Sequence, residues 1–330
     1  MMIRVAVAGA TGIVGTLLAN HLVKENLELD LYASEASAGK TINIKGEEFC
    51  LKLVAEIYDT QYDYIFLAIS AENAISLRDN ITYPTKFLDL SSAYRQDPDT
   101  PLLLHGVNHQ DYSNENFIAL PNCVVAPVAK PIKIISKVNS VKNIFISTYQ
   151  SISGAGREKT YKLLDDTNKD LDTLKAIESK FDFSDNSKNE INSFNVVPAI
   201  DDIYADGSTG EETKIKDELN KILKFSDVTT IATCVRVPVI RGHCASINII
   251  CTEAINLDEI KEQFLNDPEI NFVDGLIPSP RQNGNSEVIS IGRLRVFQDS
   301  PNVISFWVVG DNLNIGAAGN AYRIFKYIND

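Results

Sequence analysis

Ile3-Arg-Val-Ala-Val-Ala8 runs directly into Gly9-Ala-Thr-Gly12-Ile-Val-Gly15, and Thr16–Lys24 follows with one apolar face. A short apolar run, a glycine loop and an amphipathic stretch in that order predict a strand, a tight turn and a helix. The glycines allow the backbone to turn sharply and approach a ligand closely. The helix N-terminus then offers unpaired N–H groups to a pyrophosphate. A turn that merely packs a helix on a sheet is the plainer alternative; the strand before it and the helix after it favour a dinucleotide. Gly9, Thr11, Gly12, Ile13, Val14 and Gly15 are the residues expected there.

Outward from this loop, apolar runs at Leu29–Ala33, Tyr64–Ile69, Lys86–Leu90 and Asn116–Ala119 alternate with helical stretches. That alternation predicts an α/β, Rossmann-like, doubly wound parallel sheet. From about Val138 the texture changes. Longer β-rich runs occupy Val141–Tyr149, Val228–Val237, Cys244–Cys251 and Ser305–Val309, with an acidic helical stretch over roughly 155–180. A second, α+β domain with a mixed sheet is expected. Lys180–Asn192, rich in Ser, Asp and Asn, reads as an exposed loop.

The chain has 330 residues, enough for two domains that each bury a core. Its 44% apolar and 23% charged content is ordinary for a globular protein. A net charge of −13 argues against nucleic acid or an anionic membrane as partner, since phosphate backbones call for clustered Lys and Arg. The cysteines Cys50, Cys123, Cys234, Cys244 and Cys251 are odd in number and irregular in spacing. They make neither a disulfide framework nor a zinc pattern, so no metal is expected. The N-terminus lacks the layout of a signal peptide, and no apolar run reaches the roughly 18 residues that span a bilayer. A cytoplasmic setting is expected.

Chemistry concentrates at Pro121-Asn122-Cys123, Tyr149-Gln150, Glu211-Glu212-x-Lys214 and Arg236-x₆-His243. Cys123 falls at a loop-to-helix junction, where the helix dipole favours the nucleophilic thiolate; a small buried hydrophobe is the alternative. Glu211 and Lys214 are three apart and share a helical face. His243 has an unperturbed imidazole's range for proton transfer near neutrality.

Motif by motif, the chain resembles aspartate-β-semialdehyde dehydrogenases over nearly its whole length. The matching motifs are Gly9-Ala-Thr-Gly-x-Val-Gly15, Ser37-Ala-Gly39, Ser91-Ser-Ala-Tyr-Arg95, Pro121-Asn-Cys123 and Tyr149-Gln150-x-x-Ser153-Gly-Ala-Gly156. Further ones are Asn195-Val-Val-Pro198, Glu211-Glu-x-Lys214, Cys234-Val-Arg236-Val, Gly242-His243, and Asp311-Asn-Leu with Gly316-Ala-Ala318.

The resemblance implies Cys123 as a nucleophile forming a thioester, Gln150 as the residue orienting the acyl group, and His243 as general acid/base. It implies Arg236 on the substrate carboxylate, Glu211 on its ammonium, Lys214 and Arg95 on phosphate, and Asn122 beside both nucleophile and phosphate. Gly154 and Asn312 join the glycine loop as cofactor residues. It further implies a dinucleotide-binding domain over 1–124 plus a closing helix at about 311–330, a catalytic and dimerisation domain over 125–310, and a homodimer or homotetramer. The implied reaction interconverts L-4-aspartyl phosphate and L-aspartate 4-semialdehyde, on the route to lysine, threonine and methionine.

Several positions depart from the family pattern. Ala36 stands where NADP-using members place an Arg, and Glu35 sits where an acid usually takes a ribose 2′-hydroxyl. Ser34 and Ser37 remain as phosphate donors. NADP is the cofactor expected from the family, with NAD the alternative that Glu35 favours. His105-Gly106, Leu120 and Asn314-Ile315 also differ from the family's residues. A divergent paralogue without catalytic activity and a reductase of another acyl phosphate are the two competing readings.

Overall fold

A computed structural model describes residues 2–177, 192–272, 274–275 and 277–330. The expected loop at Lys180–Asn192 therefore lies, but for its last residue, outside the described residues. The first half carries β1 (Ile3–Ala8), α1 (Ile13–Leu22), β2 (Leu27–Ala33), β3 (Thr41–Ile44), β4 (Glu47–Cys50) and β5 (Lys52–Leu53). It continues with β6 (Tyr64–Leu67), α2 (Ala71–Asn80), β7 (Lys86–Asp89) and β8 (Phe117–Ala119).

The second half opens with α3 (Val125–Val138), β9 (Val141–Gln150), α4 (Arg157–Ile177), α5 (Gly210–Leu223), β10 (Thr229–Arg236) and β11 (His243–Cys251). After these come α6 (Leu257–Asn266), β12 (Ile270–Phe272), α7 (Pro280–Asn283), β13 (Ile289–Phe297), β14 (Ser300–Gly310) and α8 (Ala318–Asn329).

The first sheet has the order β5-β2-β1-β6-β7-β8 and every pair is parallel. The chain leaves β1 toward β2 on one side and later returns as β6 on the other. That reversal makes the crevice beyond the carboxyl ends of β1 and β6 the ligand position of such sheets. β1 is apolar without alternation because it serves two cores. Val5 and Val7 pack with Leu18 and Leu22 of α1, whereas Ala6 and Ala8 pack with Ile57, Leu67 and Leu77. α8 returns to this half: its Ala321, Ile324 and Phe325 share the core of α1.

The second sheet is mixed, in the order β10-β9-β11-β14-β13-β12. In β9, Ile144, Ile146, Thr148 and Gln150 point inward while Phe145, Ser147 and Tyr149 point out. The inner face packs against α3, α5 and α6. The outer face leaves Phe145, Tyr149 and Ile231 exposed, with Trp307 tilted against Tyr149 at 5.3 Å between ring centroids.

Details differ from the sequence reading. α1 starts at Ile13, three residues earlier than expected, because Gly12 is already its N-cap. The β3–β4 hairpin, β12 and β13 were not expected at all.

Candidate active site

The thiol reaches its position by a simple route. After β8 the chain crosses the carboxyl edge of the first sheet and enters α3 through Leu120–Val124. Asn122 starts that helix: its Oδ1 accepts from the Val124 N–H at 3.0 Å and its carbonyl from the Val125 N–H at 3.0 Å. Cys123 is thus held in a turn at a helix N-terminus. Gly316 makes room beside it, since a Cβ there would lie 2.4 Å from the Cys123 carbonyl oxygen.

Strand ends bring up the other groups. β9 and β10 run parallel in a register that sets Gln150 beside Arg236, and β11 begins at His243. Cys123 Sγ lies 3.2 Å from His243 Nε2. On the far side of the ring, the Ser151 backbone N–H donates to Nδ1 at 3.0 Å, with Ser151 Oγ at 3.1 Å. A neutral imidazole has one donor and one acceptor nitrogen: with Nδ1 accepting from the Ser151 N–H the proton sits on Nε2, and with Nδ1 donating to Ser151 Oγ the Nε2 lone pair faces sulfur.

Electrostatics here correct the sequence reading. A thiol at a helix N-terminus should ionise readily, yet burial, followed by the negative charge of Glu211, pushes Cys123 up to about 12. His243 does not keep its ordinary range either: burial, then the Arg236 charge, pushes it down to about 3. Both groups are neutral in the free protein at pH 7.

The clamps surround this pair. Arg236 Nη1 donates to the Ser151 carbonyl at 2.8 Å. Glu211 is buried and its Oε2 accepts from Asn122 Nδ2 at 2.9 Å. Lys214 lies 3.8 Å from the same oxygen and pairs with Asp201 Oδ2 at 2.5 Å. Arg95 Nη1 meets Glu218 Oε1 at 3.0 Å, and its Nη2 donates to the Leu90 carbonyl at 2.9 Å.

α5, which carries Glu211 and Lys214, is fixed at its start by a capping box. Glu212 Oε2 accepts from the Thr209 N–H at 2.9 Å and its Oε1 from the Cys234 N–H at 3.0 Å, tying helix to β10. Cys123, Gln150, Arg95, Asn122, Glu211, Lys214 and Arg236 all line one cleft of about 570 Å³. A larger hollow of about 880 Å³, around Arg4, Tyr64 and Lys86, borders none of these groups.

The glycine loop fits a dinucleotide. Gly9 has φ of +88°, and a Cβ there would sit 2.2 Å from the Ala68 carbonyl oxygen, where β6 ends. A Cβ on Gly15 would come equally close to the Gly9 carbonyl oxygen, at 2.2 Å. No side chain caps α1 at Gly12, so the N–H groups of its first turn, beside Thr11, Ile13 and Val14, stay free for an anion. Val14 reaches the cleft itself. Ser34, Glu35 and Ser37 form the turn beyond β2, with Ser34 and Glu35 exposed and the Ser37 N–H donating to the Ser34 carbonyl at 2.9 Å.

Of the other expected cofactor residues, Gly154 lines the same cleft as Val14, and Asn312 lies behind it. Gly154 backs the Cys123–His243 pair: a Cβ there would be 3.2 Å from His243 Nε2 and 3.3 Å from Arg236 Nη1. Asn312 is fully buried behind the cleft, its Oδ1 accepting from the Gly242 N–H at 2.9 Å and its Nδ2 donating to Ser153 Oγ at 3.1 Å. Its amide holds the turn that carries Ser151 and Ser153.

Ser151, Asp201 and Glu218 escaped the sequence reading. Only Glu218 left a signal: with Glu211 and Lys214 it completes an i, i+3, i+7 stripe on α5. Among the described residues no group of three or more His, Cys, Asp or Glu side chains is arranged to hold a metal. No helix among them is long and apolar enough to cross a membrane.

Residues 4–115 match the family described as "Semialdehyde dehydrogenase, NAD binding domain", and residues 132–315 match "Semialdehyde dehydrogenase, dimerisation domain". The chain is 32% identical to the aspartate-semialdehyde dehydrogenase of Aquifex aeolicus, covering 98% of this chain and 97% of that protein. It is also 32% identical to the Bacillus subtilis protein of the same name, over 98% and 96%. Aspartate semialdehyde dehydrogenase II from Vibrio cholerae, solved in complex with ASA, shares the fold with a TM-score of 0.89 at 29% identity. That match covers 100% of this chain and 99% of the other.

Proposed function

The chain belongs to the aspartate-β-semialdehyde dehydrogenase family, and we propose that it catalyses the reversible, phosphate-dependent interconversion of L-4-aspartyl phosphate and L-aspartate 4-semialdehyde. The observation that supports this most directly is the Cys123 thiol 3.2 Å from His243 Nε2, in a cleft with cations and carboxylates at its rim.

In the biosynthetic direction Cys123 Sγ attacks the acyl carbon, its proton passes to His243, and phosphate departs, leaving a thioester on Cys123. Proton transfer accompanies attack, because burial keeps both partners neutral beforehand. Ser151 offers Nδ1 a donor in its N–H and an acceptor in its Oγ, so the ring has a partner in either tautomer. With Nδ1 donating to Ser151 Oγ, Nε2 turns its lone pair toward sulfur, takes the thiol proton, and later returns it as aldehyde leaves and the thiol is restored.

Gln150, buried and bonded only weakly to Thr148 Oγ1 at 3.4 Å, orients the acyl group. Arg236 takes the α-carboxylate, Glu211 the α-ammonium, and Arg95 with Lys214 and Asn122 the phosphoryl group. The Gly9–Gly15 loop would hold the dinucleotide, which would supply or accept the hydride. We assign NADP: Ser34 and Ser37 offer hydroxyls, and Lys40 adds a cation to the same turn, its Nζ 2.7 Å from the Ala36 carbonyl oxygen. Glu35 opposes that choice.

The exposed apolar outer face of the second sheet, with Phe145, Tyr149 and Ile231, suits a second copy of the chain. A reducing cytoplasm suits a site built on a free thiol.

The test is nicotinamide reduction with L-aspartate semialdehyde, with and without phosphate, using NADP⁺ and NAD⁺ in parallel. Phosphate-dependent turnover favouring NADP⁺ is expected. A folded protein inactive with both cofactors would make the divergent, non-catalytic paralogue the better account.

A further inference from the structure

We propose that Glu218 and Lys221 are positioning residues that lock the phosphate clamp to the turn bearing the nucleophile, acting through α5. The inference rests on the reading of Arg95 as a phosphate-binding cation.

Glu218 is completely buried, and both its oxygens are taken. Oε1 meets Arg95 Nη1 at 3.0 Å; Oε2 accepts from the Asn122 backbone N–H at 2.6 Å. One carboxylate thus touches the clamp and the residue directly before Cys123. A buried ion pair is a poor source of stability compared with apolar groups of the same volume. What it does provide is direction: two short charge-assisted contacts fix the guanidinium relative to the Asn122–Cys123 backbone. The Leu90 carbonyl holds the guanidinium from another side.

Lys221 completes the device one turn along the helix. Its ammonium donates to the carbonyls of Arg95, Asp97 and Thr100 at 2.8, 2.7 and 2.8 Å. All three of its donors are spent on the loop that carries Arg95. Glu211, Lys214, Glu218 and Lys221 therefore form one helical stripe. Its first two members reach the cleft, and its last two brace the residues that line it.

The test compares Arg95→Lys, Glu218→Gln, Lys221→Met and the Arg95→Lys/Glu218→Gln double variant of the full chain. It measures KM for phosphate, for aldehyde and for dinucleotide, together with kcat and melting temperature. Glu218→Gln turns one acceptor into a donor facing Arg95 or the Asn122 N–H. Its phosphate KM is expected to rise at least about tenfold, as a clamp displaced by about an ångström would cause, with dinucleotide KM changed less than about twofold. Lys221→Met should shift phosphate KM the same way by a smaller factor, and decides alone if Glu218→Gln does not fold. The double variant should be little worse than Arg95→Lys.

If Arg95→Lys raises phosphate KM but neither Glu218→Gln nor Lys221→Met does, the positioning role is wrong and the clamp reading stands. The same conclusion follows if the variants only lose melting temperature and kcat together. If Arg95→Lys leaves phosphate KM unchanged, or no phosphate-dependent turnover exists, the clamp reading falls and this inference with it.

Discussion

Glu211→Gln should have two effects of opposite sign. The amide keeps the shape of the side chain, and with it the bond to Asn122 Nδ2, but removes the charge. On the proposed reading, the substrate's α-ammonium then loses its counter-ion. A hydrogen bond to a charged group contributes about 1.5–3 kcal/mol, so kcat/KM for the aldehyde should fall about ten- to hundredfold. The second effect concerns the thiol. After burial, Glu211 is the strongest influence pushing Cys123 up to about 12. Without that charge the thiolate forms at lower pH, and its fraction grows tenfold for each unit by which the pKa falls. Steady-state kinetics, with the dinucleotide KM as internal control, reads the first effect. The second is read by iodoacetamide alkylation of the Cys123 peptide in free protein between pH 7 and 10. Wild-type alkylation should climb across this whole range, and the variant should be faster at every pH. An unchanged aldehyde kcat/KM, or alkylation no faster than wild type, would refute the reasoning.

Three further outcomes are expected. Gly154→Ala brings a methyl to 3.2 Å from His243 Nε2 and 3.3 Å from Arg236 Nη1, closer than most real Cβ contacts. Its kcat should drop about tenfold or more while its melting temperature stays near wild type; unaltered kcat would contradict this. Because His243 is pushed down to about 3, the pH profile of kcat/KM should show no ionisation near 6.5 from the free protein, checked by comparing wild type with His243→Gln. Glu269 is pushed up by burial but pulled to about 2 overall by hydrogen bonds from His105 and Lys130. A depressed carboxyl stabilises above its ordinary 4.5 and loses that contribution as pH falls through about 2. Glu269→Gln should thus cost about 3 kcal/mol in urea unfolding at pH 7, with the gap closing between pH 4.5 and 2; a gap that persists at pH 2 would be contrary.

The strands most visible in the sequence were those buried on both faces or alternating cleanly, such as β1, β6 and β9. β3 and β4 are hard to see because each has only four residues, half of them polar, and only Lys45-Gly46, with φ of +51° and +98°, marks their turn. β13 hides behind Gly292 and the charged Arg293 and Arg295, where its register also shifts.

The site was legible where a side chain's type announces its chemistry: thiol, imidazole, guanidinium. Its supports were not. Ser151 acts through its backbone N–H, which carries no side-chain signature. Lys221 looks like any surface lysine until its three carbonyl partners, more than 100 positions away, are seen. Helix position suggested an acidic thiol at Cys123, but desolvation and carboxylates contributed from α5 outweigh the dipole. Only the assembled fold shows that balance.

The proposed reaction passes through a thioester on Cys123. Incubating the protein with L-aspartate semialdehyde and oxidised dinucleotide, without phosphate, followed by acid quench and peptide mass spectrometry, tests it directly. An aspartyl adduct confined to the Cys123 peptide, absent from Cys123→Ala and discharged by added phosphate, is predicted. Turnover without any such adduct, or an adduct on another residue, would contradict it.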